Sequence, residues 1–198
     1  MAVAVLTLLA ACRESGSASP PVSGATVPTA APTTTTTNPY AVPPVIDAAY
    51  FNRVLAGLEA AYGDLLRIVY TTRSIPPEVI DRIKALYATN GQVNLTLADI
   101  QEEMRRNFST YLPSPGNVRT TVADLISATS SCMYAKVDRD YSAVVHNPSP
   151  LLRTQWMAVR RLPIAESTAP FNPTGWGIIY EGVTSTLQAP TVNPCSEN

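Results

Sequence analysis

His146 and two nearby aspartates are the residues whose types are best suited to acid–base chemistry. His146 is the only histidine of the chain, and Asp138 and Asp140 shortly precede it. A carboxylate can orient an imidazole so that it exchanges protons near neutral pH. However, the apolar Val144-Val145 before His146 and the Asn147-Pro148 after it predict the end of a strand. A histidine there is more often an exposed loop residue, so acid–base catalysis is the alternative prediction and a non-catalytic domain the first.

The cysteine at position 12 ends an apolar segment at the start of the chain. Residues 1–11 are too short to span a bilayer, but they have the length of the apolar part of a signal peptide. The sequence Leu9-Ala10-Ala11-Cys12 resembles the bacterial lipobox. That resemblance implies cleavage before Cys12 and attachment of a diacylglycerol, with acyl chains such as palmitate, to its thiol. The alternative is a short buried helix with an incidental cysteine.

The remaining two cysteines, Cys132 and Cys195, form an even pair. An exported chain enters an oxidising compartment, where such a pair usually forms a disulfide. We therefore predict a bridge between Cys132 and Cys195, with two free thiols as the alternative.

Charge and composition exclude several kinds of site. The chain has 14 Lys and Arg residues against 15 Asp and Glu residues. Because binding of nucleic acid needs an excess of basic side chains to neutralise phosphates, this balance argues against it. One histidine excludes a multi-histidine metal site. The chain has no phosphate-loop or dinucleotide fingerprint and no Gly-x-Ser-x-Gly elbow. The prediction therefore includes no cofactor, no metal and no nucleic-acid partner.

Several aromatic side chains are candidates for lining a ligand pocket. Aromatic rings combine apolar area with polar tips, which suits the binding of a small apolar ligand or an envelope protein. The alternative is that these rings fill the core between helices and sheet. The strongest candidates are Tyr62, Tyr134, Trp156 and Trp176, with Tyr87 and Tyr180 beside them.

Helices that position these residues are predicted in the first half of the chain. Residues 12–46 hold many prolines and a threonine run, which predicts a disordered linker. Apolar residues then recur every three or four positions over Asp47–Tyr70, the pattern of a long helix. Pro76-Pro77 predicts the start of a second helix, Asn90-Gly91 its end, and Thr96 with Asp99 the start of a third.

Strands are predicted in the second half. Residues Thr121–Thr129, the alternating run from Met133 to Val137, and Thr154–Leu162 have strand patterns. In the last strand Trp176, Ile178 and Tyr180 are expected on one face. Helices followed by strands predict an α+β fold, with the helices on one face of a curved antiparallel sheet.

This order of elements is similar to that of the NTF2-like, or SnoaL-like, cone fold. The features that carry the resemblance are the helix Asp47–Tyr70, the helices after it, and the final strand beginning Asn172-Pro173-Thr174-Gly175-Trp176. The resemblance would cover residues 47–198 and is to small NTF2-like domains of actinobacterial lipoproteins; a cystatin-like variant is the alternative. It implies a lipid-anchored, non-catalytic binding domain on the outer face of the bacterial cell membrane. The alternatives are an NTF2-like isomerase or hydratase using His146 with an aspartate, and a structural envelope scaffold.

Overall fold

A four-stranded sheet covered by three helices forms the described part of the protein. The computed structural model describes residues 38–147, 154–163, 170–182 and 191–196. The antiparallel strands lie side by side in chain order, so the α+β prediction is confirmed. The helices are α1 (Ala48–Thr72), α2 (Pro77–Leu86) and α3 (Asn90–Arg105), and the strands are β1 (Arg119–Ala128), β2 (Cys132–Asp140), β3 (Thr154–Arg161) and β4 (Trp176–Gly182).

Helix α1 is the predicted long helix, with two residues more at its C-terminal end. The Asp47 side chain caps it by accepting a hydrogen bond from the backbone N–H of Tyr50 at 2.7 Å. Its apolar face is buried against the sheet, as the spacing of Phe51, Leu55 and Leu58 predicts. Gly57 is needed on this face, because a Cβ there would lie 2.5 Å from the Thr174 side chain.

The boundary between α2 and α3 differs from the prediction. Pro77 opens α2 as expected, but α2 ends at Leu86, so the prediction that Asn90-Gly91 ends it is wrong. Asn90 is instead the first residue of α3. The Thr89 side chain caps α3 by accepting from the Gln92 N–H at 3.3 Å. Thr96 is therefore a buried residue inside α3 rather than its cap.

Register irregularities curve the sheet. In β1 the pairing with β2 shifts between Val122 and Asp124 and again between Leu125 and Ser127. Each shift adds a residue to β1, which bends the strand. A third shift in β4 leaves Ile179 as an extra residue, with Ile178 opposite Val159 and Tyr180 opposite Ala158.

The β4 shift corrects one prediction about side-chain direction. Val159 and Ala158 are adjacent on β3 and point to opposite faces of the sheet, so their partners Ile178 and Tyr180 do so too. Tyr180 therefore does not share a face with Trp176 and Ile178. The same shift turns Glu181 to the inner face, which the helices cover.

One end of the inner face, which we call the closed end, is filled by Trp176, Tyr50, Asn172 and Thr174. The indole N–H of Trp176 donates to the Tyr50 hydroxyl at 3.0 Å. The Asn172 amide donates to the carbonyls of Ala85 and Trp176, and its oxygen accepts from the Thr174 hydroxyl at 2.6 Å. All four side chains are buried, so the polar atoms of this end are paired within the protein.

The folded part begins before the predicted boundary at Asp47. Tyr40, Val42 and Ile46 pack against the core, and the Tyr50 hydroxyl donates to the Tyr40 carbonyl at 3.0 Å. The predicted linker 12–46 is therefore too long at its C-terminal end. Cys12 and the predicted signal peptide lie outside the described residues.

Cys132 and Cys195 form the predicted disulfide, with their Cα atoms 5.6 Å apart. Cys132 begins β2 and is buried, so the bridge attaches the C-terminal segment to the sheet. In the described part of the chain, no helix is both long and apolar enough to cross a membrane.

Candidate functional site

A cavity of about 420 Å³ lies between the helices and the inner face of the sheet, at the end opposite the closed end. Its volume is in the range of small-molecule sites. Leu58 and Leu66 of α1, Leu86 of α2 and Ile178 of β4 contribute apolar wall. Leu95 of α3 also lines the cavity and is 61% exposed, so α3 forms part of its mouth.

Arg139 of β2 is the central charged residue of this cavity. Met133, Ala135 and Val137 alternate along the buried inner face of β2, and the same two-residue period points Arg139 inward. The side chain is only 6% exposed. A buried charge is costly unless it is paired, so its partners decide what the site can do.

Arg139 is held by side chains from three other elements. Its Nη2 donates to Glu59 of α1 at 2.7 Å, and its Nη1 donates to Gln155 of β3 at 3.1 Å and to Glu181 of β4. Thr120 of β1 donates to the same Glu59 oxygen at 2.6 Å. We call these residues the arginine cluster; each strand of the sheet contributes one member, and α1 contributes Glu59.

Four tyrosines surround the rest of the cavity. Tyr62 lies on α1, Tyr87 follows α2, Tyr111 precedes β1, and Tyr141 follows β2. The guanidinium of Arg139 lies 5.1 Å from the centre of the Tyr141 ring, within cation–π distance. Gln155 donates to the Tyr141 hydroxyl at 3.2 Å, which links this ring to the arginine cluster. We call Tyr62, Tyr87, Tyr111 and Tyr141 the tyrosine wall.

Burial keeps the tyrosine wall protonated. Desolvation raises the pKa of Tyr62 well above its ordinary value, and it also raises the pKa values of Tyr87 and Tyr141. It raises the pKa of Tyr111 to about 12, with the carboxylates of Glu103 and Asp99 adding to the effect. Since a general base works best with a pKa near the working pH, these hydroxyls serve as neutral hydrogen-bonding groups.

The predicted catalytic residues lie outside this cavity. His146 is exposed in the loop after β2, and its backbone N–H donates to the Thr110 carbonyl at 2.8 Å. Asp138 and Asp140 are exposed and flank Arg139 in β2, so they point to the opposite face of the sheet. None of the three belongs to the cavity lining.

Of the predicted pocket aromatics, Tyr62 and Tyr87 line the cavity. Tyr134 and Trp156 instead pack together on the outer face, with ring centres 5.7 Å apart, and Trp176 belongs to the closed end. These three therefore do not line this cavity, and Trp176 instead fills the core, as the alternative interpretation expects. Alternation along β2 was the signal that could have identified Arg139. No sequence signal identified Glu59 as its partner 80 residues away.

Comparison of the chain with protein-family profiles, with curated proteins and with solved structures gives no match. The NTF2-like resemblance therefore stays a prediction, and the cavity geometry carries the functional argument.

Proposed function

We propose that this protein is a non-catalytic domain that binds a small molecule at the outer face of the bacterial cell membrane. Lipid on Cys12 would anchor the domain, and residues between Cys12 and the fold would hold it away from the bilayer. The observation that carries the binding function is the cavity of about 420 Å³ between α1, α3 and the sheet.

The lining of this cavity supports binding more than catalysis. Apolar side chains contribute area, while the tyrosine wall offers hydroxyls that stay neutral through the physiological pH range. The Arg139 charge is already balanced by Glu59 and Glu181. His146, on which the alternative of an isomerase or hydratase depends, is exposed outside the cavity.

Binding can be tested with 1-aminoanthracene, a small neutral fluorophore whose emission rises in apolar surroundings. We expect a saturable increase with one site per chain. Val145→Phe, which adds a ring at the half-buried cavity wall, should abolish that increase. Ile126→Phe adds the same ring at an exposed position of β1 outside the lining and should leave it intact. Equal binding by the two variants, or no saturable binding by the native chain, would contradict the proposal.

The anchor is tested separately in cells supplied with radiolabelled fatty acid. The native chain should take up label and fractionate with membranes, whereas Cys12→Ser should do neither. Cys132→Ser, expressed in parallel, controls for loss of a cysteine outside the lipobox. Label retained by Cys12→Ser would remove the anchor but leave the binding function standing.

A further inference from the structure

Carboxylates dominate the charge of the cavity. Among the described lining residues, four acidic side chains face one basic side chain, Arg139. Two of them, Glu59 and Glu181, are bound to Arg139 and neutralise it. The other two lie on α3 beside the mouth: Asp99 is exposed, and Glu103 accepts from the Thr110 hydroxyl at 2.8 Å and lies 3.8 Å from the Arg106 guanidinium. An anion entering this space would meet carboxylates and find both Nη atoms of the guanidinium already bonded, with Nε its one nitrogen without a partner among the described residues.

The tyrosine wall supplies a second and independent preference for positive charge. The face of an aromatic ring carries partial negative charge and attracts cations, more strongly where water is excluded. Arg139 shows this at the site itself, because its guanidinium lies against the Tyr141 ring. The raised pKa values of the wall keep its hydroxyls neutral, so they add no charge of their own to the cavity.

The same residues do not suit a metal ion. Within the described residues there is no group of three or more His, Cys, Asp or Glu side chains placed to hold one. The apolar part of the wall, formed by Leu58, Leu66 and Ile178, suits a ligand that carries apolar groups of its own. Positive charge and apolar surface occur together in an alkylated amine.

We propose that the ligand of this cavity is a small organic cation, a tertiary or quaternary ammonium whose alkyl groups contact the apolar wall. The inference rests on the binding function proposed above and names its ligand class. Asp99 and Glu103 attract the cation to the mouth, and the tyrosine wall holds it inside.

Three compounds of nearly the same shape separate charge from shape: choline, the neutral 3,3-dimethyl-1-butanol and the anionic 3,3-dimethylbutanoate. Binding to the full chain is measured by isothermal titration calorimetry. We expect choline to bind about tenfold more tightly than the alcohol and the carboxylate to bind weakest, as cation–π attraction at a desolvated site predicts. Val145→Phe should abolish binding of choline, which places it in the cavity.

Asp99→Asn tests the contribution of the mouth. Asp99 is exposed, so its replacement should preserve the fold. We expect the choline affinity to fall about two- to fivefold, as for a partly screened charge, and the alcohol affinity to stay unchanged. Asp81→Asn removes an equally exposed carboxylate from α2, away from the cavity lining, and should change neither.

The outcomes distinguish the ligand class from the binding function. If the alcohol or the carboxylate binds in the cavity as tightly as choline, the cation inference is overturned and the binding function stands. If the three compounds and 1-aminoanthracene all fail to bind, both are overturned. An equal loss of choline affinity in Asp99→Asn and Asp81→Asn would show that the carboxylate at the mouth has no specific role.

Discussion

The two ends of the sheet's inner face bury polar groups in different ways. At the closed end, the neutral polar atoms of Asn172, Thr174 and Trp176 are satisfied by one another, by the Ala85 carbonyl and by the Tyr50 hydroxyl. At the cavity end, the arginine cluster joins Glu59 to Arg139 across 80 residues and Arg139 to Glu181 across 42. The closed end is neutral and filled, whereas the cavity end is charged and hollow.

The buried polar groups of the two ends therefore differ in what they contribute to the protein. Neutral, fully paired groups in a filled core stabilise the fold without offering anything to a ligand. Buried charges contribute little net stability, because desolvation offsets their attraction. Their presence beside a cavity fits the binding function proposed above. Three substitutions test this difference, one at the closed end and two at the cavity end.

The largest effect is expected at the closed end. Trp176→Ala removes a fully buried ring and the donor to the Tyr50 hydroxyl, which should lower the free energy of unfolding by about 4 kcal/mol. Urea denaturation measures the loss. Trp156→Ala, on the half-buried outer face, should cost less than half as much. Similar losses for the two variants would contradict the structural role of the closed end.

A smaller effect is expected from the arginine cluster. Arg139→Met leaves the buried Glu59 and the partly exposed Glu181 without their cation and should lower the free energy of unfolding by about 3 kcal/mol. Adding Glu59→Gln removes one of the two carboxylates left without a cation. The double variant should therefore recover part of the lost free energy of unfolding. The same urea titrations test this. Additive losses in the double variant would show that the two side chains are not coupled.

The smallest effect concerns alkaline pH. The pKa of Tyr111 is raised by burial to about 12 in the folded protein, and its ordinary value is near 10. Its protonated form therefore favours the fold fully below pH 10, and that contribution is lost as the pH rises from about 10 to about 12.

Tyr111→Phe should reduce the fall in stability over this range by up to about 1.4 kcal/mol per pH unit. Urea midpoints between pH 8 and pH 11.5 measure it. Below pH 10 the two proteins should respond to pH in parallel. Identical alkaline slopes for the native and variant chains would contradict burial of the hydroxyl.

Features that follow from local sequence patterns could be predicted from the sequence. Helix α1, the start of α2 and the strand regions follow from local periodicity, and the disulfide follows from the even number of cysteines left after Cys12. The start of α3 was missed although Thr89 and Gln92 have capping-box spacing, because the Asn90-Gly91 between them is also typical of a helix end.

The cavity end could not be predicted in the same way. Alternation in β2 was sufficient to place Arg139 on the inner face. The pairing of Arg139 with Glu59 and Glu181 depends on how α1 crosses the sheet and on the irregularity in β4. Neither the crossing of α1 over the sheet nor the irregularity in β4 produces a periodic pattern in the sequence. Tyr111 and Tyr141 reach the cavity from positions just outside the strands, where no repeat predicts side-chain direction.

The extra residue in β4 makes the pairing register a determinant of which side chains reach the cavity. Ile179 lets Ile178 and Glu181 share the inner face although three positions separate them. If β4 instead paired regularly after Ile178, Ile179 would lie opposite Ala158 and Tyr180 opposite Met157, so Tyr180 would face inward and Arg139 would keep Glu59 but lose Glu181. A change of register alone would thus exchange a carboxylate of this cavity for a phenol, a route by which one scaffold could change the charge that it presents to a ligand.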